Sequence, residues 1–245
     1  MENVLIITGG SKGIGKGIVE AYLSNGFRVF SISRTFDVEL SKKEVVQIEL
    51  DLTQTDKIED ELLNIFNLLN REEISKITLI NNSGTLGRIA PLDKLDRETI
   101  EQTIRLNTIV PFILSSIFID YFRDWQICKS IINITSGAAL KPYFGWSAYC
   151  SSKAAINMLT QTIALEQAEV ENAVKVLAIA PGVVDTDMQK EIRKSDKSNF
   201  KDVERFIALK EDGALNDASS VGKRIFEMDN DDTLPSGAIL RVEGN

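Results

Sequence analysis

A chain of 245 residues with 43% hydrophobic content is long enough to bury a substantial core, and one large α/β domain is the favoured organisation. A formal net charge of −8 with no basic stripe disfavours a nucleic-acid partner, which would be held by clustered Lys and Arg releasing counterions. The sequence contains no histidine, which removes the commonest general base, Ser-His and Cys-His pairs and imidazole metal sites, so no metal is expected and any chemistry must use other groups.

Met1-Glu2-Asn3 precedes an apolar run of only four residues, which fits neither a signal nor a transit peptide, and a soluble, cytoplasmic protein is expected. Val4 to Thr8 is an apolar, β-branched run that ends in glycines, and Ile14 to Ser24 then has helical periodicity, with Ile14, Ile18, Ala21 and Tyr22 on one side. Further strands are expected at 28–33, 45–50, 77–81, 130–135, 174–180 and 238–242, with helices at 57–69, 97–121, 149–169 and 218–227. Apolar strands separated by helices imply a parallel, doubly wound α/β sheet. The most apolar stretch, Ile109 to Ile119, is too short to span a bilayer and contains Pro111, Ser115 and Ser116, so no membrane partner is expected. The segment 184–212 is polar and charged yet contains Phe200, Phe206, Ile207 and Leu209; it reads either as a mobile substrate lid or as an ordinary surface excursion. Cys128 and Cys150 are too few for a disulfide framework, and Cys150 has no obvious base.

Thr8-Gly9-Gly10-Ser11-Lys12-Gly13-Ile14-Gly15 lies between the first strand and the first helix, where backbone N–H groups and the helix dipole can hold an anion. Gly10 to Lys16 nearly completes a nucleotide P-loop, but the magnesium-ligating Ser or Thr is replaced by Gly17, which ranks a nucleoside-triphosphate enzyme second. Tyr149 and Lys153 are four residues apart on a helix and share a face, so the ammonium is expected to lower the tyrosine's pKa and make it an acid or base near neutral pH.

The glycine turn at 8–15, Asn81-Asn82-Ser83-Gly84, Asn107, Ser136, Tyr149, Lys153 and Pro181-Gly182 together resemble the short-chain dehydrogenase/reductase family in order and spacing, over nearly the whole chain. Ser83 stands where that family usually has alanine. Lys141 to Cys150, Ala180 to Thr186 and Arg205 to Lys210 are most similar to its sepiapterin and benzil reductase branch. The resemblance implies a single Rossmann-type domain with a seven-stranded sheet, a homodimer or homotetramer, and NADP(H) across the carboxyl ends of the strands. It implies a carbonyl reductase with a small-molecule carbonyl substrate. Tyr149 would donate the proton, Lys153 hold the nicotinamide ribose, Ser136 bind the developing oxyanion and Asn107 fix a proton-relaying water.

The cofactor would be held by Gly9, Ser11, Lys12, Gly13, Ile14 and Gly15, by Asp51 and Leu52 at the adenine, and by Asn82, Ser83 and Gly84. Tyr149, Lys153, Pro181, Gly182, Val184, Thr186 and Met188 would complete its site. Arg34 closes the second strand where an NAD enzyme would carry an acid, so NADPH is expected, with Lys12 as a second cation at the 2′-phosphate. Tyr143, Phe144, Trp146 and Phe206, with Ser136, would line the substrate pocket, although core packing equally accounts for one or two of the aromatics. Sepiapterin reductases grip the pterin with an aspartate near the carboxyl end. Here Ser236-Gly237-Ala238 leads into Ile239 to Asn245 with only Glu243 as a substitute, which favours a flat aromatic ketone or α-diketone. A catalytically silent NADP-sensing regulator is the remaining alternative, and the intact Ser136, Tyr149 and Lys153 set argues against it.

Overall fold

Seven apolar runs become strands: β1 (Glu2–Thr8), β2 (Phe27–Ser33), β3 (Val46–Glu49), β4 (Ile74–Asn81), β5 (Cys128–Ile134), β6 (Lys175–Ala180) and β7 (Ile239–Arg241). They pair in parallel in the order β3-β2-β1-β4-β5-β6-β7, in a computed structural model that describes residues 1–242. The chain runs outward from β1 in one direction and returns to start β4 on the other side, so the order reverses between these two strands. In a sheet of this kind the crevice outside the carboxyl ends at that reversal is the place where ligands bind.

The helices are α1 (Gly13–Ser24), α2 (Val38–Ser41), α3 (Ile58–Phe66), α4 (Arg97–Ile104), α5 (Val110–Tyr121), α6 (Ser147–Glu166), α7 (Asp187–Arg193), α8 (Val203–Glu211) and α9 (Ala218–Asp229). Three of them, α2, α7 and α8, were not expected from the periodicity. The short α2 depends on its cap, the Asp37 carboxylate accepting from the backbone N–H groups of Glu39 and Leu40.

Side chains alternate across each strand, and the alternation sorts the core into two layers. Val4, Ile6, Ile77, Leu79 and Ile131 face α3, α5 and α6, whereas Leu5, Ile7, Ile80 and Ile132 face α1 and α9. The helical run Arg97–Tyr121 has the length and mean hydropathy to cross a bilayer, further than the shorter apolar stretch inside it suggested. Here its Val110, Leu114 and Phe118 are buried against the sheet. Gly17 and Gly222 allow α1 and α9 to touch: a Cβ on Gly17 would collide with the carbonyl of Ala218, and one on Gly222 with the carbonyl of Gly17. The position where a P-loop needs a hydroxyl is therefore given over to helix packing.

The second layer also holds a carboxylate, Asp229 at the end of α9, with a fully buried side chain. It accepts from Tyr22 Oη at 2.9 Å, Thr78 Oγ1 at 2.9 Å and Ser130 Oγ at 2.6 Å, and pairs with Lys76 Nζ at 3.0 Å. Burial, reinforced by this carboxylate, pushes the Tyr22 phenol well above its ordinary value. Removing one member of such a cluster leaves buried polar groups unpaired. Asp229→Ala is expected to lower the unfolding free energy by about 3–5 kcal/mol in denaturant titrations, and a loss under about 1 kcal/mol would show that the cluster is solvated rather than integral.

Candidate active site

At the reversal point, the turn after β1 closes on itself and on the turn after β4. Thr8 Oγ1 accepts from the backbone N–H groups of Asn82 and Ser83, both at 3.0 Å, while Asn82 Nδ2 donates to the carbonyls of Thr8 at 2.9 Å and Gly9 at 3.1 Å. A Cβ on Gly15 would meet both the Gly9 carbonyl and the Asn82 amide, which fixes glycine there. Gly13, at φ +54°, faces Thr186, the residue before α7. Neither Lys12 nor Thr186 caps its helix through its side chain, so the first N–H groups of α1 and the Thr186 hydroxyl form a set of hydrogen-bond donors around a glycine-lined cradle. That donor set fits the pyrophosphate of a dinucleotide.

Along the same edge, Asn107 sits in a single π-turn (Arg105–Ile109) that joins α4 to α5. Its Oδ1 accepts from Thr85 N–H at 2.8 Å, and its Nδ2 donates to Thr85 O at 2.8 Å and Ser152 Oγ at 3.1 Å. The side chain thus clamps the loop after β4 to α6, beside Lys153. Ser136 follows β5, where its Oγ accepts from Ala138 N–H at 3.1 Å and its own O–H remains a donor.

In α6 the buried positions include Tyr149, Ser152, Lys153, Ile156, Asn157 and Thr160, a stripe at helical spacing turned to the sheet. Tyr149 and Lys153 are thereby taken out of water, at 7% and 6% exposure. Lys153 Nζ donates to the Ile134 carbonyl at 2.7 Å and lies 6.0 Å from the centre of the Tyr149 ring. Burial pushes the Lys153 pKa down to about 8. Burial also raises the Tyr149 pKa, with the neighbouring Ser136 hydroxyl acting in the smaller, opposite sense. The expectation of a lowered tyrosine pKa is corrected: desolvation outweighs the charge four residues away.

Ser136, Tyr149 and Lys153 line a cleft of about 510 Å³ together with Ile14, Asn82, Gly84, Pro181, Gly182, Val184, Thr186 and Met188, whereas Asn107 is not among its lining residues. Tyr143, Trp146 and Phe206 also line it, but Phe144 does not: it is exposed, with Lys201 Nζ 4.3 Å over its ring. The segment 184–212 folds as α7 and α8 and docks over the cleft through the stack of Phe200 on Trp146, at 4.7 Å and 11°. Gly145, at φ +88°, permits this approach, since a Cβ there would strike the Asn199 carbonyl. Its root is tied by the bridge of Val184 to Asn216 and by Asp185, which pairs with Lys210 at 2.7 Å and Arg193 at 3.6 Å.

Gly9, Ser11, Lys12, Gly13, Gly15 and Ser83 lie on the turns at the reversal point; Arg34, Asp51 and Leu52 follow the carboxyl ends of β2 and β3. Lys12 is exposed and lies 3.9 Å from Asp187 of α7. Ser11 Oγ meets Thr35 Oγ1 at 3.2 Å, and Thr35 was not foreseen. Leu86, Leu140, Lys141, Gln189, Ile192 and Arg205 also line the cleft without having been picked out as site residues. Lys141 and Arg205 lie in segments that carry the family resemblance, while Ile192 packs with Phe200, Val203 and Phe206. Glu243 lies outside the described residues.

A family model described as short chain dehydrogenase matches residues 3–197. A benzil reductase ((S)-benzoin forming) of Bacillus cereus is 39% identical, covering 98% of both chains, and a sepiapterin reductase of Mus musculus is 33% identical, covering 96% of this chain and 94% of its own. Among solved structures, the KRED1-Pglu enzyme superposes with a TM-score of 0.84 at 28% identity, over 97% of this chain and 99% of that one.

Burial of Lys153 makes a titration prediction. The folded chain sheds this proton near pH 8 while the unfolded one keeps it to about 10.4. The cost of burying the ammonium is thus full below about 8 and is relieved as pH rises through that range, so Lys153 contributes a gain in stability there. NMR of isotopically labelled lysines should find one side chain titrating near pH 8 that disappears in Lys153→Met. If every lysine titrates together above pH ~10, Lys153 is solvated.

Proposed function

The chain belongs to the short-chain dehydrogenase/reductase family, and from that premise we propose that it is an NADPH-dependent carbonyl reductase of aromatic ketones and α-diketones, with Tyr149 as proton donor. The observation that carries the reading is the burial of Tyr149 and Lys153 on one face of α6, at the mouth of a glycine-lined dinucleotide cradle. A reduced nicotinamide supplies, when bound, a hydride for the carbonyl carbon of the substrate. The substrate oxygen then gains negative charge, and the Ser136 O–H is a donor for it. The raised pKa keeps Tyr149 a phenol at neutral pH, the state a proton donor needs. Lys153, with a pKa of about 8, is the stronger acid of the two and can return a proton to the tyrosinate. Asn107 acts as a positioning residue, holding Thr85 and α6 in register.

The preference for NADPH is supported by the end of β2. The first acid after β2 in the sequence, Asp37, is held below its ordinary pKa chiefly by its hydrogen bond from Lys16 at 2.5 Å, and it caps α2. It is therefore engaged elsewhere than at ribose hydroxyls, while Arg34 is exposed and its charge contributes to lowering the pKa of Asp51. Arg34 and the paired hydroxyls of Ser11 and Thr35 suit a 2′-phosphate. The apolar wall of Tyr143, Trp146 and Phe206, and the relative that forms (S)-benzoin, favour an aromatic dicarbonyl over a pterin.

Two substitutions test these assignments separately. Tyr149→Phe should retain NADPH binding and lose at least about 10²-fold in single-turnover reduction of benzil; wild-type turnover would remove Tyr149 from the mechanism. Arg34→Asp should shift the ratio of kcat/KM for NADPH over NADH by about tenfold or more toward NADH, and an unchanged ratio would place the 2′-phosphate elsewhere.

A further inference from the structure

The cleft is positively charged in an acidic protein. Among its described lining residues are Lys141, Lys153, Arg205 and Arg241 and no aspartate or glutamate, although the chain has 36 acidic residues against 28 basic ones. Lys153 is engaged by the Ile134 carbonyl and by its place in proton delivery. Lys141 and Arg205 have no part in that chemistry, and they converge on one phenol. Lys141 Nζ lies 4.9 Å from the centre of the Tyr143 ring, and Arg205 Nη1 donates to Tyr143 Oη at 3.3 Å. Nearby acids are committed to other cations: Glu204 pairs with Lys197, and Asp185 with Lys210 and Arg193. No ion pair to Lys141 or Arg205 forms among the described residues.

These two cations are also separated from the phosphate cradle. Gly13 and Thr186 form that cradle, whereas Tyr143 is reached from Tyr149 by way of Trp146, with ring centres 5.5 Å and then 4.9 Å apart. An aryl group whose carbonyl meets Tyr149 would extend along Trp146 and present its far end to Tyr143. Charges of one sign in a cleft focus the field on an anionic ligand, and a guanidinium offers a planar fork suited to a carboxylate.

We propose that the substrate is an aromatic ketone or α-diketone bearing a carboxylate, its aryl body against Tyr143, Trp146 and Phe206 and its carboxylate between Lys141 and Arg205. This rests on the reading of the cleft as a carbonyl-reducing site.

Benzil with a para-carboxylate and the methyl ester of the same acid share a reacting dicarbonyl and differ in one charge. With NADPH, the wild-type protein is expected to show kcat/KM about tenfold higher for the acid, with the ratio falling as salt is raised. Arg205→Glu should reverse the preference, and Lys141→Gln should reduce it. Circular dichroism melts check the folding of both variants, and the salt dependence of the wild type keeps the test open if Arg205→Glu does not fold. Quenching of tryptophan fluorescence by the corresponding benzoin acid and ester reads binding without turnover. An ester reduced as well as the acid overturns the carboxylate proposal and leaves the reductase reading standing. If no ketone is reduced, the reductase reading fails, and the quenching titration decides alone: equal affinity for acid and ester overturns the anion site.

Discussion

The desolvation of two side chains on one stripe of α6 is the constraint on which the site depends. In water a phenol and a lysine ammonium have nearly equal acidities, near pH ~10 and ~10.4. Burial disfavours the charged form of each, which raises the phenol and lowers the amine. The order of acidity is set by this divergence, which makes Lys153 the stronger acid of the two. Both groups are taken out of water because the helix turns them toward the sheet.

The rest of the fold holds that stripe against the cleft. Asn107 ties the loop after β4 to Ser152, one residue from Lys153, and the π-turn is what brings an amide there from the middle of a long helical run. A second polar pair, Asn81 to Asn133 at 2.8 Å, links β4 to β5, and Asn133 donates onward to Thr160 of α6 at 2.9 Å. Sheet and helix are therefore joined by directional bonds as well as by the apolar layer around Ile131 and Ile156. At the opposite end of the strands, Asp229 performs the equivalent task for α9.

The parallel sheet was legible because its strands are apolar on both faces and separated by helices of clear period. The glycine turn, Ser136, Tyr149 and Lys153 stand out through a resemblance to a known family in order and spacing, and the structure brings them to one edge of the sheet. Less visible were features that depend on distant segments meeting. The pKa of Tyr149 could not be read from Y-x-x-x-K, since the spacing gives the neighbour's charge and not the depth of burial. Lys12 of the glycine turn lies 3.9 Å from Asp187, 175 positions away in sequence, a proximity that no local pattern shows. Phe144 belongs to an aromatic run whose members diverge: Trp146 turns inward to stack on Phe200, while Phe144 lies outside under Lys201. The helices α7 and α8 carry no clear period because their apolar residues are sparse among charges and pack mainly on one another and on Trp146.

The most direct measurement is the oxidation of NADPH by the purified chain on addition of benzil, followed by loss of the reduced cofactor's absorbance alongside chromatography of the product. The account predicts stoichiometric conversion of NADPH and benzil to NADP⁺ and benzoin. Binding of NADPH without its oxidation by benzil or by any other diketone would contradict it.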